Sequence, residues 1–352
     1  MTSIPPKPPT EPMVGAATDT WKPLREIGKY TATIAVMVVA FYLLRKKLED
    51  IKWEEFRAGL NNISYGWIAA AVGLVVLNYL ILTGYDLIAV RYLKKQLPLR
   101  RIMIGAVVGY AMSNVFGWIF GGTTVRYRLY SSWGFSFREF VAFVSILSLT
   151  FWLGMFLLAG IAFTMLPVHL PEEIGDVSLK KIMFFEPHVW GWIFLGVVAA
   201  YLLACAFWRR PVRWGEDEFQ LPPLALSAQQ LVVSACDFAL ASATLYVLLP
   251  AGGWNFSTVL VAYLAGMILT VILHVPGGFG VLDVTVLSML GTQHGSPEAA
   301  SAEKAAVAAG LVVFRVIYYF LPAVVAGLLF LWNEVEMRAI EARKPKIAKP
   351  AA

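Results

Sequence analysis

The chain has 352 residues, of which 59% are hydrophobic and only 15% are charged. Soluble globular proteins average about 45–50% apolar and about 25% charged residues, so this composition indicates a multi-pass membrane protein. The net charge of +6 does not indicate nucleic-acid binding, because most Lys and Arg residues fall at the ends of apolar segments and no soluble basic module is present.

In chain order, a polar, Pro-rich stretch comes first and predicts a disordered cytoplasmic tail at residues 1–24. A membrane domain over residues 25–335 and a basic cytoplasmic tail over residues 336–352 follow. A crossing helix needs about 20 apolar residues. Eight segments satisfy this length: 28–47, 65–90, 102–121, 137–166, 189–208, 224–249, 255–275 and 304–332. Two shorter pieces, 123–136 and 276–290, lie at Gly-Gly pairs: the first follows Gly121 and Gly122, and the second contains Gly277 and Gly278. The predicted fold is therefore an all-α integral membrane protein with about eight long helices and two short broken or re-entrant segments.

Basic connections set the predicted orientation, since Lys and Arg are enriched on the cytoplasmic side. They occur at residues 91–101, 209–213 and 338–349, which are therefore predicted to be cytoplasmic. The acidic loop 167–188 and the stretch 291–303, which has no Lys or Arg, are predicted to face outward. Both termini are then cytoplasmic, and parity places the loop 45–64 outside although it is also basic.

A break in the apolar pattern at residues 276–283 is the most informative local feature. It contains Pro276, Gly277, Gly278, Gly280 and Asp283. An unpaired backbone group in hydrocarbon costs several kcal/mol, so non-helical backbone at membrane depth survives only where protein or water surrounds it. The break therefore predicts a site.

The same order of features, an apolar helix, a Gly-Gly pair, a short segment and a long helix, occurs at 102–166 around Gly121 and Gly122 and again at 255–332. On the orientation above, the first unit starts from the cytoplasm and the second from outside. Such inverted repeats with broken helices are used by alternating-access transporters, which place the substrate site where the breaks meet. The alternative is that the glycines only allow close helix packing.

Charged residues inside apolar segments form the candidate site. A lone Arg at a helix centre costs at least about 2.5 to 3.5 kcal/mol, so Arg315 is expected to face the bundle interior. It is the strongest candidate for holding a phosphate or balancing Asp283, and Tyr318 follows it in the same run. Arg126 and Arg128 come after the first Gly-Gly pair, and a guanidinium suits phosphate because its planar fork donates two hydrogen bonds. The alternative for these two is anchoring at the membrane interface.

Three further polar residues are weaker candidates for binding the substrate. Asp86 lies within a turn of the basic end of its span and either pairs with Arg91 or contributes to the site. Asp237 is deeper and either lines a polar path or bonds a neighbouring helix. Asn114 is uncharged, and such a residue is more often a helix-to-helix hydrogen bond than a ligand.

No catalytic motif is present in the sequence, which has no G-x-S-x-G elbow, no P-loop and no Cys or His cluster. The sequence therefore predicts no enzyme activity, no metal site and no cofactor. An intramembrane enzyme in which Asp237, Asp283 and Arg315 converge stays open as an alternative.

Several runs of residues resemble the membrane half of the multiple peptide resistance factor, also called lysylphosphatidylglycerol synthase. They are Thr83–Asp86, Ser113–Asn114, Gly121–Tyr130 followed by Trp133–Gly134, Ser148–Gly154, His274–Val281 and Arg315–Pro322. The resemblance covers about residues 28–335, and several motifs in the right order are far more specific than one glycine pair.

This resemblance implies a flippase domain that moves aminoacylated phosphatidylglycerol, typically the lysyl lipid, from the inner to the outer leaflet of a bacterial cytoplasmic membrane. Cationic lipid on the outside weakens the attraction of cationic antimicrobial peptides. Two departures are visible. The cytoplasmic synthase domain of full-length members, which uses aminoacyl-tRNA, does not follow within this sequence, and Asp283 stands where the family usually has Glu.

The predicted function is a lipid flippase in which Arg126, Arg128 and Arg315 hold the phosphate of a phospholipid substrate and Asp283 handles cationic or coupling charge. The alternatives are a flippase for another phospholipid or a polyprenyl lipid, a non-transporting partner of a separate lysylphosphatidylglycerol synthase or glycosyltransferase, and an intramembrane lipid-modifying enzyme. Membrane faces rich in Gly and Ala also allow a homodimer.

Overall fold

The computed structural model describes residues 51–166, 186–208, 217–249, 254–291 and 297–343, with isolated residues between 42 and 49 and short strand pieces at 173–174, 177–178 and 212–214. The predicted tail 1–24, most of the predicted span 28–47 and residues 344–352 lie outside the described residues. Within the described part the fold is almost entirely helical, which confirms the all-α membrane class.

The described helices follow one another along the chain with short connections. They are α1 (Trp53–Asn61), α2 (Tyr65–Tyr92), α3 (Leu99–Phe116), α4 (Thr124–Ser132), α5 (Phe137–Met165), α6 (Pro187–Phe207), α7 (Leu224–Leu248), α8 (Phe256–Ile272), α9 (Val281–Leu290), α10 (Pro297–Phe314) and α11 (Leu321–Arg343). Two π-helical turns, Trp118–Thr123 and Arg315–Phe320, lead directly into α4 and α11. Two antiparallel hairpins lie in the connections, β1 (Glu173–Ile174) with β2 (Val177–Ser178) and β3 (Val212–Trp214) with β4 (Asp217–Phe219).

Local sequence explains where the long helices begin. The Ser64 hydroxyl accepts from the backbone N–H of Trp67 at the start of α2. At the start of α5, Ser136 and Glu139 form a reciprocal capping box, which satisfies two of the free N–H groups of the first turn. Pro187 occupies the first turn of α6, where its missing N–H has no intrahelical partner to lose.

Among the described residues, five helical stretches are long and apolar enough to cross a membrane: α2, α5, α6, α7 and the continuous stretch Ala300–Met337 through α10 and α11. The predicted spans 65–90, 137–166, 189–208, 224–249 and 304–332 are thereby confirmed. The predicted segments 102–121 and 255–275 are shorter than expected, since α3 ends at Phe116 and α8 at Ile272. Each is the first arm of a re-entrant hairpin.

Hairpin A, residues 99–132, consists of α3, the first π turn and α4. Near its start, Arg100 pairs with Glu336 at 2.9 Å. Near its end, Arg128 pairs with Glu334 at 3.0 Å. Because both ends of the hairpin contact the same end of α11, the chain enters and leaves on one face of the bundle, which we call the basic face.

Hairpin B, residues 256–290, consists of α8, the Pro276–Gly278 turn and α9. The indole N–H of Trp254 donates to the carbonyl of Leu290 at 3.1 Å, so the two ends of this hairpin also lie together. Gly291 packs against Lys304 near the start of α10. Lys304 and Glu334 are separated by 30 residues of one continuous helical stretch, which is about 45 Å. Because hairpin A contacts Glu334 and the end of hairpin B lies near Lys304, hairpin B enters from the face opposite the basic face.

The two hairpins meet at their tips. A Cβ atom placed on Gly117, whose φ is +83°, would lie 3.1 Å from the Cβ of Pro276. A Cβ atom on Gly277, whose φ is +62°, would collide with the carbonyl oxygen of Asn114. Within the described residues α3 and α8 do not pack along their lengths, so the hairpins approach tip to tip from opposite faces. The predicted inverted repeat is therefore present.

The first break differs in position from the prediction. It falls at Gly117, whereas Gly121 and Gly122 lie inside the π turn. A Cβ atom on Gly121 would collide with the carbonyl oxygen of Met112, and one on Gly122 with the hydroxyl of Ser113. These two glycines thus allow the arms of hairpin A to pack closely, which was the alternative interpretation of the pair. The second break is where the sequence predicts it, since all three of its glycines have positive φ.

Two connections contain more helix than expected. Helix α1 lies in the predicted loop 45–64 and packs through Gly59 on the α10 residues Ala305 and Ala306. This contact places the loop on the face opposite the basic face, on the side that parity predicts. Helix α11 runs to Arg343, so the predicted tail 336–352 is helical in its first part.

The hairpin topology predicts which surface sites share one side of the membrane. We expect cysteines introduced by Gln96→Cys and Ser132→Cys to react from the same side of the membrane. The cysteine of an Asn62→Cys variant should react from the other side. All three positions are exposed, Gln96 in the connection between α2 and α3 and the other two at helix ends. A membrane-impermeant maleimide on sealed vesicles measures this, on a background in which Cys205 and Cys236 are replaced by alanine. Labelling of positions 96 and 132 from opposite sides would contradict the re-entrant path of hairpin A.

Candidate functional site

A buried ion pair lies at the tip of hairpin B. Asp283 is in the first turn of α9 and accepts from the backbone N–H of Gly280 at 2.9 Å. Arg315, at the first position of the second π turn, donates through Nε and Nη2 to the two carboxylate oxygens of Asp283 at 3.1 and 2.8 Å. Both side chains are at most one-tenth exposed. The pair is therefore bidentate and desolvated, which is the stronger form of Arg–carboxylate contact.

Arg315 also holds the backbone of the break. Its Nη1 and Nη2 donate to the carbonyls of Gly277 and Gly278 at 2.6 and 2.9 Å. The rings of Phe279 and Tyr319 lie 4.7 and 4.5 Å from the guanidinium carbon. These contacts satisfy two of the carbonyl groups that the broken helix leaves without helical partners, so Arg315 supports the non-helical tip directly.

A second buried ion pair connects hairpin A to α2. Arg126 on α4 donates through Nη2 to Asp86 at 3.1 Å, and the hydroxyl of Tyr130 donates to the other oxygen of Asp86 at 2.6 Å. Arg126 is only 1% exposed and Asp86 is fully buried. Asp86 therefore pairs across the bundle rather than with Arg91, which instead reaches the side-chain oxygen of Gln229 at 3.4 Å.

Two nitrogen atoms of Arg126 make no hydrogen bond with any described residue. The aromatic ring of Tyr110 covers the guanidinium at 4.0 Å, and Gly109 leaves room for it, since a Cβ atom there would collide with Nε. Within the described part of the chain, Nε and Nη1 are buried without a hydrogen-bond partner. A buried donor left unpaired costs about 1–3 kcal/mol, so these two nitrogen atoms are available to an incoming acceptor.

The two pairs occupy equivalent places in the two hairpins with their charges exchanged. Arg126 is the third residue of α4 and Asp283 is the third residue of α9. In the first pair the hairpin carries the cation, Arg126. In the second pair the hairpin carries the anion, Asp283, and the cation Arg315 belongs to the long helical stretch that follows. The region behind the meeting tips thus offers both signs of charge in a buried setting.

Between the pairs lies a polar network around Asp237 on α7. Asn78 donates to one carboxylate oxygen at 2.9 Å, and the hydroxyl of Tyr85 donates to the other at 2.8 Å. Tyr85 also lies 2.9 Å from the hydroxyl of Ser234, and Tyr318 donates to the side-chain oxygen of Asn78 at 3.1 Å. Asp237 therefore bonds α2, which was one of its two predicted roles.

Aromatic contacts join this network to both ion pairs. The rings of Tyr85 and Tyr110 are 5.5 Å apart, and Tyr110 covers Arg126. On the other side, the rings of Tyr318 and Tyr319 are 5.5 Å apart, and Tyr319 covers Arg315. The polar groups at the tips of the two hairpins are consequently linked through the bundle interior.

The structure brings together most of the predicted site residues but separates one of them. Those that meet in the interior are Asp86, Arg126, Asp237, Asp283, Arg315 and Tyr318. Asn114 lies at the contact between the two tips. Arg128 is 64% exposed on the basic face, where Glu334 holds it. That position agrees with the alternative of interface anchoring.

Five interior residues were not predicted as site residues: Asn78, Tyr85, Tyr110, Tyr130 and Ser234. Tyr85 and Tyr130 stand inside the runs that carry the family resemblance, so those runs contained the signal for them. Asn78 is a lone amide within an apolar span, and its cost there was a second available signal. Within the described residues no cluster of three or more His, Cys, Asp or Glu side chains could hold a metal ion.

Comparison with known proteins adds the family. The model of the lysylphosphatidylglycerol synthase TM region matches residues 30–327. Protein slr0712 of Synechocystis is 32% identical over 304 residues, which are 86% of this chain and 90% of that protein. The inner membrane protein YbhN of Escherichia coli is 31% identical over 325 residues, 92% of this chain and 96% of that protein. A phosphatidylglycerol lysyltransferase of Staphylococcus xylosus is 24% identical over 309 residues, 86% of this chain but 34% of the relative.

Proposed function

Because this chain belongs to the family of the lysylphosphatidylglycerol synthase TM region, we propose that it moves a phospholipid between the leaflets of a bacterial cytoplasmic membrane. The observation that carries the proposal is the pair of buried Arg–Asp contacts behind the meeting tips of two opposed hairpins. Broken helices that meet inside an inverted repeat are where transporters of this general design bind their substrates.

The headgroup is taken up by exchange of ion pairs. When the tips separate, the phosphate replaces Asp283 at Arg315 or Asp86 at Arg126. Each carboxylate released in this way accepts the ammonium of the headgroup. Breaking a buried pair outright costs about 3–5 kcal/mol, whereas an exchange leaves neither the arginine nor the carboxylate without a partner and avoids most of that cost.

Arg126 makes the first contact with the phosphate. Its unpaired Nε and Nη1 bind a phosphate oxygen while Nη2 still holds Asp86. A guanidinium suits this role because its planar fork presents several donors to one oxyanion. Arg315, in which each of the three nitrogen atoms already donates and which makes four hydrogen bonds in all, accepts the phosphate later, as hairpin B moves.

A lipid that carries both a phosphate and an ammonium fits this exchange best, and lysylphosphatidylglycerol is such a lipid. The Staphylococcus relatives, named as phosphatidylglycerol lysyltransferases, support that class. Delivery of a cationic lipid to the outer leaflet lowers the negative surface potential and with it the attraction of cationic antimicrobial peptides. In this proposal the basic face and both termini are cytoplasmic, and the chain transports its phospholipid without chemically altering it.

Reconstitution of the purified chain in liposomes tests the proposal. Fluorescent lysylphosphatidylglycerol is placed in one leaflet, and we expect it to appear in the other leaflet faster than in protein-free liposomes. We also expect it to cross faster than fluorescent phosphatidylglycerol. A quencher that cannot cross the bilayer measures the accessible fraction. An Arg100→Ala variant, which removes an exposed pair on the basic face, is the matched control and should transfer normally. Transfer no faster than in protein-free liposomes would refute the proposed function.

A second candidate function is a non-transporting membrane partner of a separate lysylphosphatidylglycerol synthase. The match to one third of a lysyltransferase favours it, because that relative carries this region together with a much longer remainder. This candidate predicts that the chain co-purifies with the synthase and that the pure protein gives no transfer. The liposome measurement therefore separates the two candidates.

A further inference from the structure

Asp237 differs from the other two buried carboxylates of the site because it has no cationic partner. Asp86 pairs with Arg126 and Asp283 pairs with Arg315. Among the described residues, Asp237 is held only by neutral donors, Asn78 and Tyr85. It is 8% exposed. Its charge is therefore the one that the site leaves uncompensated.

The groups that face Asp237 from the surrounding helices are all neutral when it is ionised. Tyr79 and Tyr85 come from α2, Tyr110 from α3, Tyr263 from α8 and Tyr318 from the second π turn. Within the described part of the chain, no Lys, Arg or His forms an ion pair with it. An isolated carboxylate in such a setting is costly to keep charged and takes a proton instead.

We propose that Asp237 is a proton-binding site whose occupancy changes as the hairpin tips meet and separate. Within each of the two Arg–Asp pairs the charges cancel, so an ionised Asp237 leaves the interior with one net negative charge. A bound proton brings it to zero, and so does a headgroup with a net charge of +1, such as that of lysylphosphatidylglycerol, which has two ammonium groups and one phosphate. The proton and the cationic headgroup thus compete to neutralise the charge of Asp237. Through this competition the proton acts as the coupling ion of transport. The transport part of this inference rests on the proposed function.

The hydrogen bonds show how the proton is sensed by the rest of the site. In the structure the Tyr85 hydroxyl donates to a carboxylate oxygen of Asp237. When Asp237 takes up a proton, that oxygen can become a hydrogen-bond donor. When the proton sits on that oxygen and is donated to Tyr85, the Tyr85 hydroxyl donates to Ser234 at 2.9 Å instead. Because the Tyr85 ring contacts Tyr110 over Arg126, this change reaches hairpin A. Asn78 transmits it to Tyr318 on the π turn that begins at Arg315.

Infrared difference spectroscopy of the purified chain in lipid nanodiscs tests proton binding without any transport. On acidification of the wild type we expect the carbonyl band of a buried carboxylic acid to appear. The band should be lost in Asp237→Asn. It should shift in frequency in Tyr85→Phe, because this variant keeps Asp237 but removes a hydrogen bond to its carboxyl group. A Glu139→Gln variant, which removes a partly exposed carboxylate paired with Lys95, should keep the band unchanged. If the folded wild type gives no band that depends on either Asp237 or Tyr85, the proton site is refuted.

A pH gradient across proteoliposomes tests the coupling. We expect the gradient to change the rate of lipid transfer by the wild type severalfold, and to have no effect on Asp237→Asn. An infrared band without any transfer in the wild type refutes the proposed function and leaves the proton site intact. Transfer by the wild type that does not respond to the gradient refutes the coupling and leaves the proposed function intact.

Discussion

Replacing Arg315 by alanine is expected to abolish lipid transfer and to lower the free energy of unfolding by about 3–5 kcal/mol. The change leaves Asp283 buried without a cation and removes the donors to the carbonyls of Gly277 and Gly278. The tip of hairpin B then loses the side chain that satisfies its broken backbone. Thermal unfolding in detergent and the liposome assay measure the two effects separately.

An Arg315→Lys variant separates the loss of charge from the loss of geometry. Lysine keeps the positive charge near Asp283 but lacks the planar fork that makes four hydrogen bonds at once. We expect it to fold with a smaller loss of stability than the alanine variant and to transfer lipid at least tenfold more slowly than the wild type. Normal transfer by a folded Arg315→Ala variant would remove Arg315 from the site.

The break at Pro276 could be predicted from the sequence because proline and three glycines in an apolar run admit few other structures. The break at Gly117 could not, because a single glycine between Phe116 and Trp118 is ordinary inside a membrane helix. Its role depends on a contact with Pro276, 159 positions away in the chain. Close glycine pairs such as Gly121 and Gly122 therefore mark either a break or a tight packing contact, and only tertiary structure distinguishes these two roles.

The partners of the buried charges could also be predicted from the sequence only in part. That Arg315 must face inward followed from the cost of an unpaired charge in hydrocarbon, and Asp283 lay in the nearest break. Asp86 instead has Arg91 close in sequence and Arg126 forty positions away, and the fold selects the distant one. The short side chain of Asp283 reaches Arg315 at 2.8 Å because it projects from the first turn of α9.

The equivalence of the two ion pairs was hidden by their opposite signs. Arg126 and Asp283 occupy the same place in their hairpins, yet no comparison of residue types would align a cation with an anion. Only the paths of the two hairpins reveal it. This exchange of sign suits a substrate with both charges, since each hairpin presents a different one to the headgroup.

The pair of Asp86 and Arg126 allows a test that distinguishes transport from support of the fold. An Arg126→Met variant leaves the Asp86 carboxylate without a cation, and an Asp86→Asn variant leaves the Arg126 guanidinium without an anion. Each is expected to lower the free energy of unfolding by about 3–5 kcal/mol. In the double variant both charges are gone, the asparagine still accepts from Tyr130, and methionine fills most of the volume of the arginine. We expect its stability to return to within about 1–3 kcal/mol of the wild type, because no charge is left unpaired and the remaining cost is that of the asparagine NH2 group, which faces methionine without an acceptor.

Transfer should not return with stability in that double variant, because the donors that receive the phosphate are absent. The same cycle on the exposed pair of Arg100 and Glu336, with Arg100→Met and Glu336→Gln, should change stability by less than about 1 kcal/mol at each step and leave transfer normal. Unfolding in detergent and transfer in liposomes are measured on all seven proteins of the two cycles, which share the wild type. If the stable double variant moves lipid at the wild-type rate, the ion pair on hairpin A only supports the fold, and the uptake of phosphate must be assigned to Arg315 alone.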